Sequence, residues 1–249
     1  MSDKAVKDMQ QEAYLKAMGI DIWLPRGAAE STTDTVSVDR TITEVAAANP
    51  AAPMADEAIS RLDWSALQAR VSTCTQCELH RGRTHTVFGV GNPQADLLII
   101  GEAPGADEDR QGEPFVGRAG QLLTAMLKAI RFDRQDVYIA NILKCRPPNN
   151  RDPKAEEVSL CSHYLERQIE LIQPKLILAV GRIAAQRLLQ TDSSLAKMRG
   201  RVFQYAAGNI PLIVTYHPAY LLRTPSDKGK AWQDLLFVQR TLGGLANSD

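Results

Sequence analysis

Cysteine is scarce in this chain: 249 residues hold four, Cys74, Cys77, Cys145 and Cys161. A chain of this length with 44% hydrophobic residues can build its own core, so a disulfide scaffold is excluded. Long apolar runs are also missing. Leu97 to Ile100 and Leu176 to Val180 are strand-sized and bounded by Asp, Pro or Gly, which argues against a membrane span. No basic stretch followed by apolar and small residues opens the chain, and a cytoplasmic location is the expectation. Nor does one sign of charge prevail, since 29 Lys and Arg face 29 Asp and Glu. The average hides a division: residues 1–60 carry 5 basic against 10 acidic side chains, and the remaining 189 carry 24 against 19. That modest positive excess permits contact with a polyanion without requiring it.

Residues 27–60 contain neither an aromatic residue nor a leucine and are rich in Ala, Ser, Thr, Asp and Pro. A flexible acidic linker is expected there. Ahead of it, over residues 1–26, Tyr14, Leu15, Met18, Ile22 and Trp23 can share one side of a helical turn and the extension after it. From residue 61 onward, to residue 249, strand-like and helix-like segments alternate. Strands are expected over Asp96–Gly101, Val137–Asn141, Lys175–Gly181 and Pro211–His217. Helices are expected over Gly117–Ile130, Pro153–Ile172, the turns through Ile183 to Leu189, and Lys230–Leu245. Such alternation predicts an α/β fold whose mostly parallel, four-stranded central sheet is covered on both faces. Ligands in such sheets bind at the carboxyl ends of the strands, which selects Glu102 to Gly105, Asn141, Gly181 and His217.

The spacing C-x2-C, 67 residues, then C-x15-C suits one four-thiolate site, and zinc and an iron-sulfur cluster both accept that ligand set. After the first strand, GEAPGADED and GEPFVGRAG place glycines where main-chain amides can approach a flat base or a developing anion. Neither GK[ST] nor GxGxxG is present, so this is no phosphate loop. The side-chain amide of Asn141 can donate one hydrogen bond and accept another, matching O4 and N3-H of uracil and mismatching cytosine. A lone Asn at a strand end is more often a turn or a cap. His217-Pro218-Ala219-Tyr220-Leu221-Leu222-Arg223 brings an imidazole, an apolar wedge and a cation together.

GEAPGADED with PFVGRAGQLL, then NILKCRPP and HPAYLLR, in this order around the four cysteines, resemble the family 4, iron-sulfur class of uracil-DNA glycosylases, over about Leu67 to Leu242. The resemblance implies a three-layer α/β/α sandwich, excision of uracil from DNA, and a 4Fe-4S cluster on Cys74, Cys77, Cys145 and Cys161. It also assigns roles. Phe115 would stack on the flipped base and Asn141 would read its pairing edge, with the Glu102 and Ala103 main chain completing the pocket. His217 would donate to uracil O2, Glu102 would position water, and of Asp107, Glu108 and Asp109, any of which could close the pocket near C5 against the thymine methyl, Glu108 is the choice. Leu221 and Leu222 would fill the gap in the duplex, with Arg223, Lys144 and Arg146 on phosphate.

The segment YLKAMGIDIWLPR, residues 14–26, is similar to the peptide by which the psi subunit of bacterial clamp loaders docks on chi, so residues 13–26 are a candidate chi-binding element. A short helix folded back onto the protein's own surface is the alternative. A monomer acting on uracil-containing DNA is the expectation. A non-catalytic binder of such DNA and a zinc-stabilised nucleotide-binding protein stand as its competitors.

Overall fold

A computed structural model of the chain describes residues 59–205 and 209–246, together with Lys16. The docking segment expected over 1–26 and the linker expected over 27–60 therefore lie, but for Lys16, Ile59 and Ser60, outside the described residues. Among the described residues six strands form one sheet: β1 (Val90–Gly91), β2 (Leu97–Gly101), β3 (Tyr138–Asn141), β4 (Leu176–Val180), β5 (Phe203–Tyr205) and β6 (Ile210–Thr215). Their order is β1-β3-β2-β4-β6-β5, with the central four parallel and the two edge strands antiparallel. The four-stranded parallel core is the one the alternation predicts. The edge strands, two and three residues long, are too short for a period of two to register.

The helices are α1 (Trp64–Ser72), α2 (Ala106–Gln111), α3 (Arg118–Ala129), α4 (Ala155–Ile172), α5 (Arg182–Leu188), α6 (Leu195–Met198), α7 (Pro218–Arg223) and α8 (Lys228–Ala246). Because successive strand side chains point to opposite faces, each parallel strand is apolar on both. Leu97, Ile99, Ile139, Leu178 and Ile213 pack against Leu123, Met126 and Leu127 of α3 and Leu235 and Val238 of α8. Leu98, Ile100, Ala140, Ile177 and Val214 meet Leu165 and Ile169 of α4 and Ala184 of α5. Three layers result, held by side chains whose full burial contributes about 1.5–3 kcal/mol each. A third cluster joins Leu67 and Val71 of α1 to Phe88, Leu143, Cys145, Cys161 and Tyr164. It ties the segments that carry the other cysteines to Cys161 and Tyr164 of α4.

The chain departs from β2 to β3 on one side and reaches β4 on the other, so a crevice opens at the carboxyl end of β2. Register brings the strand ends level there. Gly101 pairs with Asn141 and Val180 with Thr215. Beyond the strands, Ile142 N–H donates to Gly101 O at 3.1 Å, Leu143 N–H to Glu102 O at 3.1 Å, and Gly181 N–H to Thr215 O at 2.9 Å. These bonds fix the strand ends beside which Glu102, Asn141 and His217 stand.

Candidate functional site

Asn141 ends β3 and is 1% exposed, yet neither its Oδ1 nor its Nδ2 has a hydrogen-bond partner among the described residues. A buried amide in that state carries a desolvation cost of about 1–3 kcal/mol per unmade bond, so it marks a place where something else bonds. The wall beside it is Gly101, where an added Cβ would lie 2.4 Å from Asn141 Oδ1 and 2.7 Å from Phe115 Cζ. Only a glycine there lets the amide and the ring sit side by side.

Phe115 is 7% exposed and held at φ +54°, the left-handed region that a bulky side chain enters at a cost of roughly 1–2 kcal/mol. Specific contacts hold that conformation. Arg134 donates from Nη1 to Phe115 O at 3.2 Å and from Nη2 to Pro114 O at 2.9 Å, while pairing with Glu113 at 3.2 Å. Gly120 lets the first turn of α3 close on the Phe115 carbonyl, where a Cβ would clash outright. Glu108 serves the same loop: its carboxylate accepts from Gly105 N–H at 3.1 Å, Val116 N–H at 3.0 Å and Gly117 N–H at 3.2 Å. The acidic stretch Ala106–Gln111 forms the short helix α2, and its Glu108 accepts through one oxygen from Gly105 and through the other from the two residues after Phe115.

The His217 ring lies 5.7 Å from the Phe115 ring, centroid to centroid, tilted by 31°. Its Nδ1 accepts from Ala219 N–H at 3.2 Å as it caps α7, which leaves the proton of the neutral ring on Nε2. Burial, helped by the positive charge of Arg223 and opposed by Glu108, lowers the His217 pKa to about 4. At neutral pH His217 is therefore a neutral hydrogen-bond donor. Gly181, at φ +98°, passes so close that a Cβ would stand 3.0 Å from His217 Cβ.

Glu102 follows β2 and is partly exposed. Burial first, then the negative charge of Asp152, raise its pKa to about 7 against the pull of Arg182. Such a carboxyl changes charge at physiological pH, the range a general base needs. Ala103, next to it, is partly buried against the cysteine cluster.

All four cysteines line one pocket, with Tyr164, Arg83 and Lys144 among its walls. Arg83 Nη1 donates to Cys145 Sγ at 3.1 Å, and Lys144 N–H to Cys161 Sγ at 3.3 Å. Burial raises the Cys77 and Cys145 pKa values and takes that of Cys161 to about 12. No three His, Cys, Asp or Glu side chains among the described residues are arranged to hold a single metal ion.

Two expected DNA contacts are corrected. Lys144 is 1% exposed, with its ammonium directed inward onto Asn141 O, Gln168 and Phe88 O, and burial lowers its pKa to about 8; no phosphate reaches it. Leu221 is 1% exposed in the core under α7, because the helical turn that presents Leu222 at the surface rotates Leu221 inward. Leu222 is partly exposed, Arg223 is exposed, and Arg146 is partly exposed with Nε on Asn150 Oδ1 at 2.8 Å. Arg134 and Arg83 were not foreseen, since each lies in an irregular stretch and acts on atoms remote in sequence. Gly101 carried a signal, a glycine as last residue of a buried strand.

Among the described residues, no helix is long and apolar enough to cross a membrane. The sequence pattern of the Uracil DNA glycosylase superfamily matches residues 88–236. The type-4 uracil-DNA glycosylase of Archaeoglobus fulgidus is 47% identical over 161 residues, covering 62% of this chain and 81% of that protein. That of Thermotoga maritima is 46% identical over 160 residues, 64% of this chain and 83% of that protein. Similarity extends to the type-5 uracil-DNA glycosylase of Pyrobaculum aerophilum, 32% identical over 148 residues, 53% of this chain and 64% of that protein.

Proposed function

Because the chain belongs to the uracil DNA glycosylase superfamily and to its type-4 group, we infer that it hydrolyses the N-glycosidic bond of deoxyuridine in DNA and leaves an abasic site. The observation that carries the reading at this site is Asn141, a buried amide with an empty donor and an empty acceptor beside an aromatic face. Uracil presents the complementary pair. Cytosine reverses it and would leave both ends unpaired, a mismatch that sites of this kind reject by roughly 10⁴-fold.

C1′ is inaccessible in a stacked duplex, so the nucleotide must swing out at a cost of a few kcal/mol. Phe115 then covers the base and Asn141 holds its edge. As the bond from C1′ to N1 breaks, its electron pair passes into the uracil ring and charge collects on O2. The Nε2–H of neutral His217 donates to that oxygen. Water adds to C1′ and gives a proton to ionised Glu102, while the uracil anion takes one from solvent. Exposed Arg223 and partly exposed Arg146 contact phosphates and position the strand, and Leu222 fills the vacated stack.

The four thiols line one pocket and two of their sulfurs receive N–H donors of the kind that stabilise thiolate, which supports the iron-sulfur cluster that the sequence resemblance implies. A bound 4Fe-4S cluster would cross-link the segment before β1 to the segment after β3. Residues 13–26 are proposed as a chi-docking peptide on the strength of their sequence similarity, which a titration of that peptide against chi would test.

The decisive experiment is alkali cleavage of an end-labelled oligonucleotide carrying one uracil after incubation with the full chain. Strand scission at uracil and none at cytosine is expected. Intact substrate with protein that is brown and folded would defeat the reading.

A further inference from the structure

A fully buried lysine is rare unless its ammonium is bonded. Lys144 Nζ donates to Gln168 Oε1 at 2.6 Å, to Asn141 O at 2.9 Å and to Phe88 O at 3.4 Å, which uses all three of its protons. The acceptors come from the C-terminal part of α4, the end of β3 and the segment before β1. Gln168 Nε2 closes the group by donating to Phe88 O at 3.0 Å and to Tyr138 Oη at 3.5 Å. A ring of bonds thus stands behind β3 at the residue whose side chain faces the crevice.

We propose that Lys144 is a positioning residue for uracil recognition, holding the Asn141 peptide so that its side-chain amide meets the base in one orientation. The inference rests on the glycosylase reading of the site. Its physical ground is the cost of the arrangement. An apolar side chain would fill the same volume without desolvating an ammonium. What the ammonium adds is a directional grip on Asn141 O, at the one residue of the crevice whose amide is unpartnered. Reading a base by one donor and one acceptor demands such a grip, because a misplacement of about 1 Å can cost roughly a hundredfold. The main-chain N–H of the same lysine rests on Cys161 Sγ, so the cysteine pocket and the base-reading amide share a single support.

The test compares the dissociation constants of two duplexes on the full-length protein by fluorescence anisotropy. One carries a non-hydrolysable 2′-fluoro-deoxyuridine, the other a tetrahydrofuran abasic analogue that offers Asn141 nothing to read. Lys144→Met is expected to weaken the uracil duplex by about tenfold or more while changing the abasic duplex by less than about twofold, a loss of base reading alone. Equal weakening of both, as a purely structural role would produce, overturns the proposal, and so does no weakening of either. Should Lys144→Met fail to fold, Gln168→Met removes the shortest of the ammonium's bonds and leaves its contact with Asn141. The same selective loss, smaller, is expected there, and an equal loss or none overturns the proposal. The wild type separates the two failures. If it does not prefer the uracil duplex to the same duplex with thymine, the glycosylase reading falls and this one with it; if it does, and the variants keep that preference, Lys144 alone is dismissed.

Discussion

Two buried polar side chains stand near the carboxyl ends of parallel strands, and they are opposites. Asp234 of α8, 2% exposed beneath the end of β6, accepts from Arg199 Nε at 2.6 Å, Arg199 Nη2 at 2.9 Å and Thr215 Oγ1 at 2.9 Å. Among the described residues, Asn141 at the end of β3 finds no partner for its side chain, as donor or as acceptor. The first group is closed. Arg199 also lies 4.5 Å over the Tyr216 ring, which stacks on Tyr220 at 5.2 Å, so the closed group braces the turn that carries His217. The second is open, and a buried open group is stable only within a fold that outweighs its cost. Saturation identifies scaffold and vacancy identifies site, although both are buried side chains, one at the end of β3 and the other bonded to the last residue of β6.

Breaking the closed group should do the greater damage to stability. Asp234→Ala leaves Arg199 unpaired in a mostly buried setting and is expected to cost about 3–5 kcal/mol in urea unfolding, with the activity per folded molecule largely kept. A destabilisation under about 1 kcal/mol would show that the pair is not the brace described. Next in size is His217→Ala, which removes the donor to the developing charge. A fall of roughly 10²–10³ in kcat is expected, with unfolding midpoint little changed. Asn141→Ala follows: a loss of about 10- to 100-fold in kcat/KM, together with stability that holds or rises because an unpaired amide is gone. If that variant lost stability as Asp234→Ala does, the contrast between the two groups would collapse.

The smallest effect is in pH. Folding raises the Glu102 pKa from 4.5 to about 7, so the native state holds a proton that the unfolded chain has released. Stability from this group is therefore intact below pH 4.5 and declines as pH climbs through about 7, and Glu102→Gln should flatten that decline in thermal melts at pH 5 and pH 8. Excision has the opposite slope, rising to a plateau above about pH 7 as Glu102 ionises. His217, neutral above about 4, adds no inflection between. A rate already flat from pH 5 to 8 would remove Glu102 as the base.

Much of the scaffold was legible. Leu97 to Ile100 and Leu176 to Val180 announce buried strands because an apolar run of that length has no other economical place, and α3 shows its period through Leu122, Leu123, Met126 and Leu127. Helix α2 was not legible, since Ala106 to Gln111 has no apolar stripe and is stabilised by Glu108 bonding to backbone across a loop. The candidates Glu102, Asn141 and His217 came from strand ends and Phe115 from a motif; in the structure Gly101, which precedes Glu102, stands against both Asn141 and Phe115, and the Phe115 ring lies 5.7 Å from that of His217. Lys144 and Leu221 were misplaced. Each stands in a site motif, and proximity in sequence says which turn a residue occupies without saying which way it faces.

What the sequence by itself determined is whatever depends on local order: where strands and helices run, that the central strands are parallel, and which four thiols are available. Direction and partnership were decided only in three dimensions. Lys144 finds Gln168 across 24 residues and Phe88 across 56, and Arg134 finds Phe115 across 19. An ammonium goes inward or outward according to the acceptors that packing brings to it, and an amide is left open or closed by the same packing. Those acceptors come from elements far apart in the chain, and no local pattern encodes their meeting.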